Sequence, residues 1–457
     1  MPDRSKAEVV FDLFGVNLEQ QGRGYYVSLE LLAIARGVYE VDPSALLDVG
    51  SDVVSYIRAS HDFARRIAVN ATIDPKTLAE AVDDEETLAT LQALSSSLLV
   101  QIPGRRKLPS WYNTHLYPFV GELIHYDAAE RRAAGTKRDA PKVPHIERYV
   151  FRDGGSWAYK VLRTDLDDSR RNGTRDGLLE LVRDSESALG EIARSLRAHD
   201  DAKDTKPYED GSESDIKIYE DRSPWPEYLR RGVNFIVSRA QLPRAKRIES
   251  LMHWVPFCLA RHQLHLARSS LAQPSETVFV DFMKDATPLR RLSQDALDGF
   301  RKNIVNAIIA RATTLHDDAL AMGNESLALR YTRHMSQSAV GTGSPRSFFS
   351  ETLAAVGALN ATTGRRHFTM KPPMLEAIVS ASLEPGSEEE FYSFCARLYE
   401  DYGIILDERT AGENDLTVDV DASVYERNSD AFRSRLAATG LLTQYSDATS
   451  IVHGEPR

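Results

Sequence analysis

Apolar residues recur at helical spacing through most of this sequence, and that periodicity constrains the fold more than any other feature. The clearest case lies between Ile248 and Ala267, where large apolar side chains fall three and four residues apart. Pro256 interrupts this pattern, which predicts a kink or a break in the helix. At 457 residues with 42% hydrophobic residues, the chain is long enough for about two to four domains. The expected fold class is mainly α with small β elements, in a multi-domain helical protein.

The N-terminus and the cysteines indicate the compartment. The first six residues, MPDRSK, contain no apolar segment of a secretory signal. No stretch approaches the roughly 20 consecutive apolar residues that a membrane helix needs. Cys258 and Cys395 lie far apart in apolar helical patterns, which is typical of buried thiols in a reducing compartment. We therefore expect a cytoplasmic protein that makes no membrane contact.

Changes in composition divide the chain into expected segments. Helical periodicity, acidic polar stretches and glycine or proline breaks mark the boundaries. The expected segments are a helical domain (1–140), a β-hairpin-containing segment (141–196), a polar linker or insertion (197–224), a basic helical domain (225–370) and an acidic winged-helix-like domain (371–457).

The strongest local β signal lies in the second of these segments. Residues Ile146–Arg152 alternate between apolar and polar, Asp153, Gly154 and Gly155 follow, and Trp157–Leu162 is again rich in β-forming residues. An Asp-Gly pair between two such runs is a strong hairpin signal. The sequence therefore predicts a β-hairpin that turns at Gly154.

The last 84 residues have the clearest order of elements. Pro372 and Pro373 precede a helix, and the acids of Ser387–Glu390 predict a capping box that opens a second helix. A short strand, a third helix that ends at Gly440 and a final β element follow, which is the order of a winged-helix-like domain. Because a DNA-reading helix is normally basic and the second helix is acidic, we expect this domain to dock a protein.

Charge is distributed unevenly along the chain. The segment 225–373 carries 20 Lys and Arg against 11 Asp and Glu, whereas 374–457 carries 6 against 17 and 1–224 carries 30 against 39. Two explanations stay open: the parts neutralise one another within the fold or across a subunit contact, or the middle segment binds phosphates of DNA. The candidate nucleic-acid-binding residues are Arg230, Arg231, Arg244, Lys246, Arg247, Arg290, Arg291, Arg301 and Lys302.

Three histidines form one candidate metal site. His262 and His265 lie three residues apart in the same helical pattern as His253, so they would share a face and hold a metal. Histidines in helix packing explain the same spacing. Three His-Asp pairs, His61-Asp62, His199-Asp200 and His316-Asp317, are too short to identify a phosphohydrolase.

A second candidate metal site lies in the polar stretch near residue 215. Asp215 and Lys217, with Glu213 close by, resemble the end of a PD-(D/E)xK nuclease motif, whose carboxylates and lysine hold Mg²⁺ and activate water. The strand that should present them is missing from the sequence pattern. The sequence also lacks a Walker A loop and a Gly-x-Ser-x-Gly elbow. We therefore assign no catalytic residue, metal ligand or cofactor.

Three stretches resemble uncharacterised accessory proteins of bacterial anti-phage defence cassettes. They are HWVPFCLARHQL at 253–264, TPLRRLS at 287–293, and GLL at 440–442 followed by SDA at 446–448. The resemblance covers about the C-terminal half and carries no catalytic motif. It implies a subunit that works beside an ATPase, a nuclease or a methyltransferase encoded elsewhere.

These observations favour a non-enzymatic accessory or scaffold subunit of a bacterial nucleic-acid-associated complex. Its expected partners are other subunits of a defence or DNA-processing complex, with DNA as a further candidate partner of the basic middle segment. The alternative is a divergent metal-dependent nuclease or phosphohydrolase whose ligands are scattered in the sequence.

Overall fold

Helices build most of the protein, which confirms the fold class of mainly α with small β elements. The computed structural model describes residues 4–18, 24–50, 53–57, 85–98, 116–124, 128–131, 143–146, 153–198, 208–211, 222–285, 287–336, 344–360, 365–417, 420–445 and 449–456. Within these ranges, no helix combines the length and the apolar character needed to cross a membrane.

The helices begin where sequence and capping chemistry favour them. Several first turns are capped by a side-chain oxygen that accepts a backbone N–H bond, as at Asp167, Thr287, Asn324 and Asp421. The helices are α1 (Arg4–Phe14), α2 (Tyr25–Val41), α3 (Glu85–Ser97), α4 (Gly154–Arg163), α5 (Asp168–Val182), α6 (Ala188–Ala198), α7 (Trp225–Val237), α8 (Arg244–Ser270), α9 (Pro288–Ala321), α10 (Glu325–Thr332), α11 (Ser344–Ala355), α12 (Pro372–Ser382), α13 (Phe391–Tyr402), α14 (Glu408–Glu413) and α15 (Ala422–Ala438).

The strands are short and form small sheets. They are β1 (Val53–Tyr56), β2 (Ala128–Arg131), β3 (Val143–Ile146), β4 (Tyr208–Gly211), β5 (Val278–Phe279), β6 (Glu388–Glu390), β7 (Ile404–Ile405), β8 (Leu442–Gln444) and β9 (Ser450–His453). β1 pairs antiparallel with β4, β2 with β3, and β6 and β8 flank β9, while β5 and β7 are parallel. Strand β4 lies inside the predicted polar linker, most of which lies outside the described residues.

Helix α8 organises the packing of its neighbours. It contacts α2, α7, α9, α11 and α12 and buries side chains around most of its circumference, including Trp254, Phe257 and Leu264. Of the kink or break predicted at Pro256, the break is wrong, because the helix runs without interruption from Arg244 to Ser270, and the kink stays a prediction. Packing on several sides compensates the hydrogen bond that a proline inside a helix removes.

One contiguous cluster of buried apolar side chains connects distant parts of the chain. It extends from Val9 in α1 to Val452 in β9 and includes residues of α2, α8 and α12. Such continuity is typical of elements that pack around a shared core. The division of the chain into separate folding segments stays a prediction.

The predicted β-hairpin at Gly154 is wrong, because Gly154–Arg163 form helix α4. Trp157, Ala158, Val161 and Leu162 are buried and recur at i, i+1, i+4 and i+5, which is one face of a helix. Asp153 precedes the helix with a left-handed φ of 68°. The β-forming character of these residues is overridden by tertiary packing.

The contact between α2 and α4 requires a glycine. A Cβ atom at Gly155 would lie 2.4 Å from the backbone nitrogen of Leu31, so the two helices approach more closely than any other residue allows. Across this contact the Glu30 carboxylate accepts a hydrogen bond from the Gly155 backbone amide at 2.6 Å. Burial and the nearby Asp153 carboxylate raise the pKa of Glu30 to about 8 despite this bond.

The C-terminal segment differs from its prediction at one helix start. Glu388–Glu390 form strand β6 instead of a first helical turn, and α13 begins at Phe391. The Glu390 carboxylate accepts the backbone N–H of Ser393 at 3.0 Å, so it caps α13 while its backbone pairs with β9. Sheet pairing with β9 therefore sets the start of this helix.

We predict that Glu30→Gln weakens the pH dependence of stability above pH 4.5. The pKa of Glu30 rises from 4.5 to about 8 on folding, so the fold favours the neutral acid. Its contribution is complete below 4.5 and is lost as the pH rises through about 8. The free energy of unfolding, measured with urea from about pH 5 to about pH 9, should fall less in the variant than in the wild type.

The exposed Glu86 in α3 provides the matched control. Glu86→Gln should follow the wild-type curve. Equal slopes for the Glu30→Gln variant and the wild type would contradict the prediction.

Candidate functional site: an acidic cleft beside the C-terminal helices

Most cations predicted to bind nucleic acid are engaged within the protein. Arg230 donates to the Val161 carbonyl, Arg231 to Asp401, Arg244 to the Arg183 carbonyl, Lys246 to Glu249 and Glu376, Arg247 to Glu180, Arg290 to Asp281, and Arg301 to Ser350 and Asp298. Arg230 and Arg247 are also buried. These seven side chains therefore have partners within the fold, and their predicted contact with DNA would compete with those bonds.

Arg291 and Lys302 differ from the other seven predicted cations. Both are exposed on α9, and within the described ranges neither side chain has a hydrogen-bond or ion-pair partner. They lie eleven residues apart and so share a helix face with Asp295 and Asp298, which bind Arg365. This face carries both signs of charge. A phosphate-binding role of the two cations stays a prediction.

The three candidate metal-binding histidines point to different partners. His253 Nδ1 lies 2.7 Å from the Val356 carbonyl, and His262 Nδ1 lies 3.1 Å from the Ser223 hydroxyl. Burial lowers the pKa of His262 to about 3. His265 Nδ1 lies 3.8 Å from a carboxylate oxygen of Glu276. Within the described part of the chain, no group of three or more His, Cys, Asp and Glu side chains has the arrangement of a metal site.

The remaining candidate catalytic groups are outside the described residues or isolated. Glu213, Asp215 and Lys217 lie outside, and so do His61-Asp62 and His199-Asp200. His316 and Asp317 pair at 2.9 Å at the protein surface. Both cysteines are buried free thiols, as the sequence predicted, and burial raises the pKa of each well above its ordinary value.

A cleft of about 540 Å³ lies where α7 and α8 meet α13 and α14. Its lining combines aromatic, cationic and acidic side chains in a small volume. The lining residues that matter for recognition are Trp225, Tyr228, Arg261, His265, Glu276, Tyr399, Glu400, Asp401, Tyr402 and Glu413.

Aromatic rings form the floor of the cleft. Trp225 and Tyr402 are buried and stack with ring centroids 5.9 Å apart, and Tyr228 meets each of them edge to face at 5.4 and 5.3 Å. Trp225 and Tyr228 reach the cleft together because they lie three residues apart on α7. Burial raises the pKa of the Tyr402 hydroxyl to about 12, so this floor stays uncharged near neutral pH.

A buried arginine lies against this floor. Arg261 of α8 donates Nη2–H bonds to Glu276 at 3.2 Å and to the Tyr402 carbonyl at 2.9 Å, and its guanidinium lies 5.0 Å from the Trp225 ring centroid. Its side chain is only 2% exposed. Its Nε and Nη1 atoms have no hydrogen-bond partner among the described residues. Both atoms are enclosed by protein and a buried donor without a partner is costly, so the position of this guanidinium depends on the two bonds of Nη2.

Glu276 holds a permanent negative charge in the cleft. Burial alone would raise its pKa, but the contact with His265 and the charge of Arg261 outweigh burial and hold the pKa at about 2. The carboxylate therefore stays ionised at all physiological pH values. It neutralises Arg261, so the net charge of the cleft depends on the side chains at its rim.

The rim of the cleft has an excess of carboxylates. Arg231 binds Asp401 at 2.5 Å. Glu400 and Glu413 are exposed, and in the described structure neither has a hydrogen-bond or ion-pair partner. Two unpaired negative charges at the mouth of a concave site attract cations more strongly than the same charges on a flat surface.

Sequence reasoning missed this site almost entirely. Of its residues only His265 was a candidate, as a metal ligand. Arg261 gives a signal that sequence alone contains, because a charged residue in the middle of an apolar helix requires a buried partner. Nothing in the sequence identifies Glu276 as that partner, since it lies beyond the end of α8.

We predict that Glu276→Gln lowers the free energy of unfolding by roughly 3 kcal/mol, because it leaves the buried Arg261 charge without its counter-ion. Adding Arg261→Met should restore much of the loss, since the double variant buries no unpaired charge. Urea unfolding of the wild type, both single variants and the double variant measures the coupling. Strictly additive effects of the two substitutions would contradict it.

Comparisons with known proteins identify no relative. No protein-family description matches the sequence, no curated protein is significantly similar to it, and no solved structure matches its fold. The function proposed below therefore depends on the cleft and on the distribution of charge.

Proposed function

We propose that this protein is a non-enzymatic docking subunit that binds a basic segment of a partner protein in the acidic cleft. The observation that carries the proposal is the excess of carboxylates at the rim, Glu400 and Glu413, above an aromatic floor. In this role the chain is an accessory or scaffold subunit of a bacterial nucleic-acid-associated complex. A role in anti-phage defence is the part of the proposal that the sequence resemblance implies.

The chemistry of the cleft fits a lysine or arginine side chain. A cation gains from the carboxylates of the rim and from the ring faces of Tyr228 and Tyr399, which line the same cleft. The apolar stem of such a side chain covers the aromatic floor while its charged end stays at the rim. A phosphate group would meet the excess of like charge.

The internal pairing of the predicted nucleic-acid ligands also supports docking over DNA binding. DNA affinity derives from exposed cations that replace the counter-ions of phosphates. Seven of the nine candidates already bind carboxylates, carbonyls or a hydroxyl within the described part of the chain. Most of the cations predicted to bind DNA therefore already have partners inside the molecule.

The proposal includes a winged-helix-like C-terminal domain. Helix α12, strand β6 and helix α13 come first, β7 and α14 are inserted next, and helix α15 and strands β8 and β9 follow, with the sheet order β6-β9-β8. A DNA-reading winged helix would expose cations on its third helix. On α15, Arg433 binds Asp430, and Arg435 donates to the carbonyls of Met370 and Phe282. Arg427 is exposed and donates to the Ser423 carbonyl of its own helix, so it is the cation of α15 most open to a phosphate. The internal contacts of the other two favour a protein as the partner.

We predict that the protein binds a labelled peptide of alternating arginine and alanine and that Glu400→Lys/Glu413→Lys abolishes this binding. The substitutions turn two attractive charges at the rim into repulsive ones. Fluorescence anisotropy at about 0.05 and about 0.15 M salt measures affinity, which should fall with salt because rim charges are screened.

The matched control is Glu86→Lys/Glu186→Lys, which reverses two exposed acids that do not line the cleft. It should bind like the wild type. Equal loss of affinity in both double variants would show a non-specific charge effect and overturn the proposal.

A labelled DNA duplex tests the alternative partner in the same assay. Binding of DNA but not of peptide, abolished by Arg291→Glu/Lys302→Glu, would replace protein docking with nucleic-acid binding by α9.

A further inference from the structure

A second cavity continues the acidic cleft along α7 and α13. It has a volume of about 300 Å³ and is lined by Phe235, Leu383, Glu384, Glu388 and residues near them. Its floor is apolar, because Phe235 is half-buried and Leu383 is buried. The two cavities therefore combine the same kinds of residue, a floor of rings or aliphatic groups and a rim of acids.

The helices place the two cavities end to end. Trp225 and Tyr228 near the start of α7 line the first cavity, and Phe235 near its end lines the second. On α13, Arg397 lines the second cavity, whereas Ala396 and Tyr402 line the first. Both cavities therefore border the same two helices, and we call them together the groove between α7 and α13.

A salt bridge divides the groove into its two parts. Arg231 of α7 reaches Asp401 of α13 at 2.5 Å and the Tyr402 hydroxyl at 3.3 Å. Arg231 also lines the second cavity and Asp401 the first. The bridge therefore separates the two cavities, and each cavity has room for one side chain of a ligand.

The second cavity also has unpaired negative charge. Arg397 binds Glu389 with both contacts at 2.9 Å, which neutralises that pair. Glu384 is exposed, and its carboxylate has no partner within the described residues. A cation in this cavity would therefore find a carboxylate that no other group neutralises.

The pairing of the two cavities favours a peptide over a free cation. Each cavity combines an apolar or aromatic floor with exposed carboxylates that have no partner among the described residues, Glu400 and Glu413 in the first and Glu384 in the second. A small cation would fill only one cavity, whereas a peptide carries two basic side chains on one backbone and gains from both.

We propose that the groove between α7 and α13 binds a peptide segment in the polyproline II conformation that carries two basic side chains three residues apart, one for each cavity. Tyr228 and Phe235 are seven residues apart on α7, a distance of about 10 Å. A polyproline II segment rises about 3.1 Å per residue and has three residues per turn, so side chains three residues apart lie on the same face and cover that distance. This inference rests on the proposed function, because the first basic residue occupies the acidic cleft already described.

The test compares two capped octapeptides of identical composition with the full chain. One has its two arginines three positions apart, in the order Ala-Ala-Arg-Ala-Ala-Arg-Ala-Ala, and the other has them adjacent, in the order Ala-Ala-Ala-Arg-Arg-Ala-Ala-Ala. Both carry the same charge, but only the spaced peptide reaches both cavities. Calorimetric titration should give the spaced peptide about tenfold higher affinity.

Three variants separate the inference from the proposed function. Glu384→Lys should remove the advantage of the spaced peptide and leave the adjacent peptide unchanged, whereas the control Glu186→Lys should affect neither. Equal affinities of the two peptides, or an unchanged advantage in Glu384→Lys, would overturn the two-cavity groove alone. If Glu400→Lys/Glu413→Lys leaves both affinities unchanged, the proposed function itself fails.

Discussion

The ion pair between Arg261 and Glu276 fixes how the middle helices meet the C-terminal ones. Arg261 belongs to α8, Glu276 precedes β5, and the same guanidinium holds the Tyr402 carbonyl at the end of α13. Directly after this contact, β5 and β7 pair in parallel. Because a buried charge that loses its partner is strongly destabilising, the positions of these three elements depend on one another. The cleft and the groove both lie at this junction.

Arginines serve in this protein mainly as internal connectors. Arg239 is fully buried and donates to Glu455 and to the carbonyls of Ser380 and Leu383, so it ties the end of α7 to the C-terminal residues. Arg247 links α8 to Glu180 of α5. The planar guanidinium forms several bonds at once in a fixed geometry, which suits such connections better than lysine does. Glu400 and Glu413, at the rim of the cleft, have no such partner among the described residues.

The sequence predicted the helical elements well and the contacts between them poorly. The helices around Trp254 and after Pro372 were predictable, since apolar spacing and proline at the first turn are local signals. The hairpin at Gly154 was predicted wrongly, because alternation over a few residues resembles helical spacing when both faces are partly apolar. The contact that decides between them involves Glu30, more than a hundred residues away. The cleft was missed for the same reason, since its residues come from α7, α8, α13 and α14.

The sequence by itself determined the fold class, the burial of both cysteines and the uneven distribution of charge along the chain. These properties depend on composition and on spacing within single helices. Only the tertiary structure decided which charges remain available to a partner. A cation such as Arg231 and a free carboxylate such as Glu400 look alike in the sequence, because pairing depends on the distance between residues that are far apart along the chain. Long-range packing, which no local pattern encodes, placed Arg231 in a salt bridge and left Glu400 exposed at the rim of the cleft.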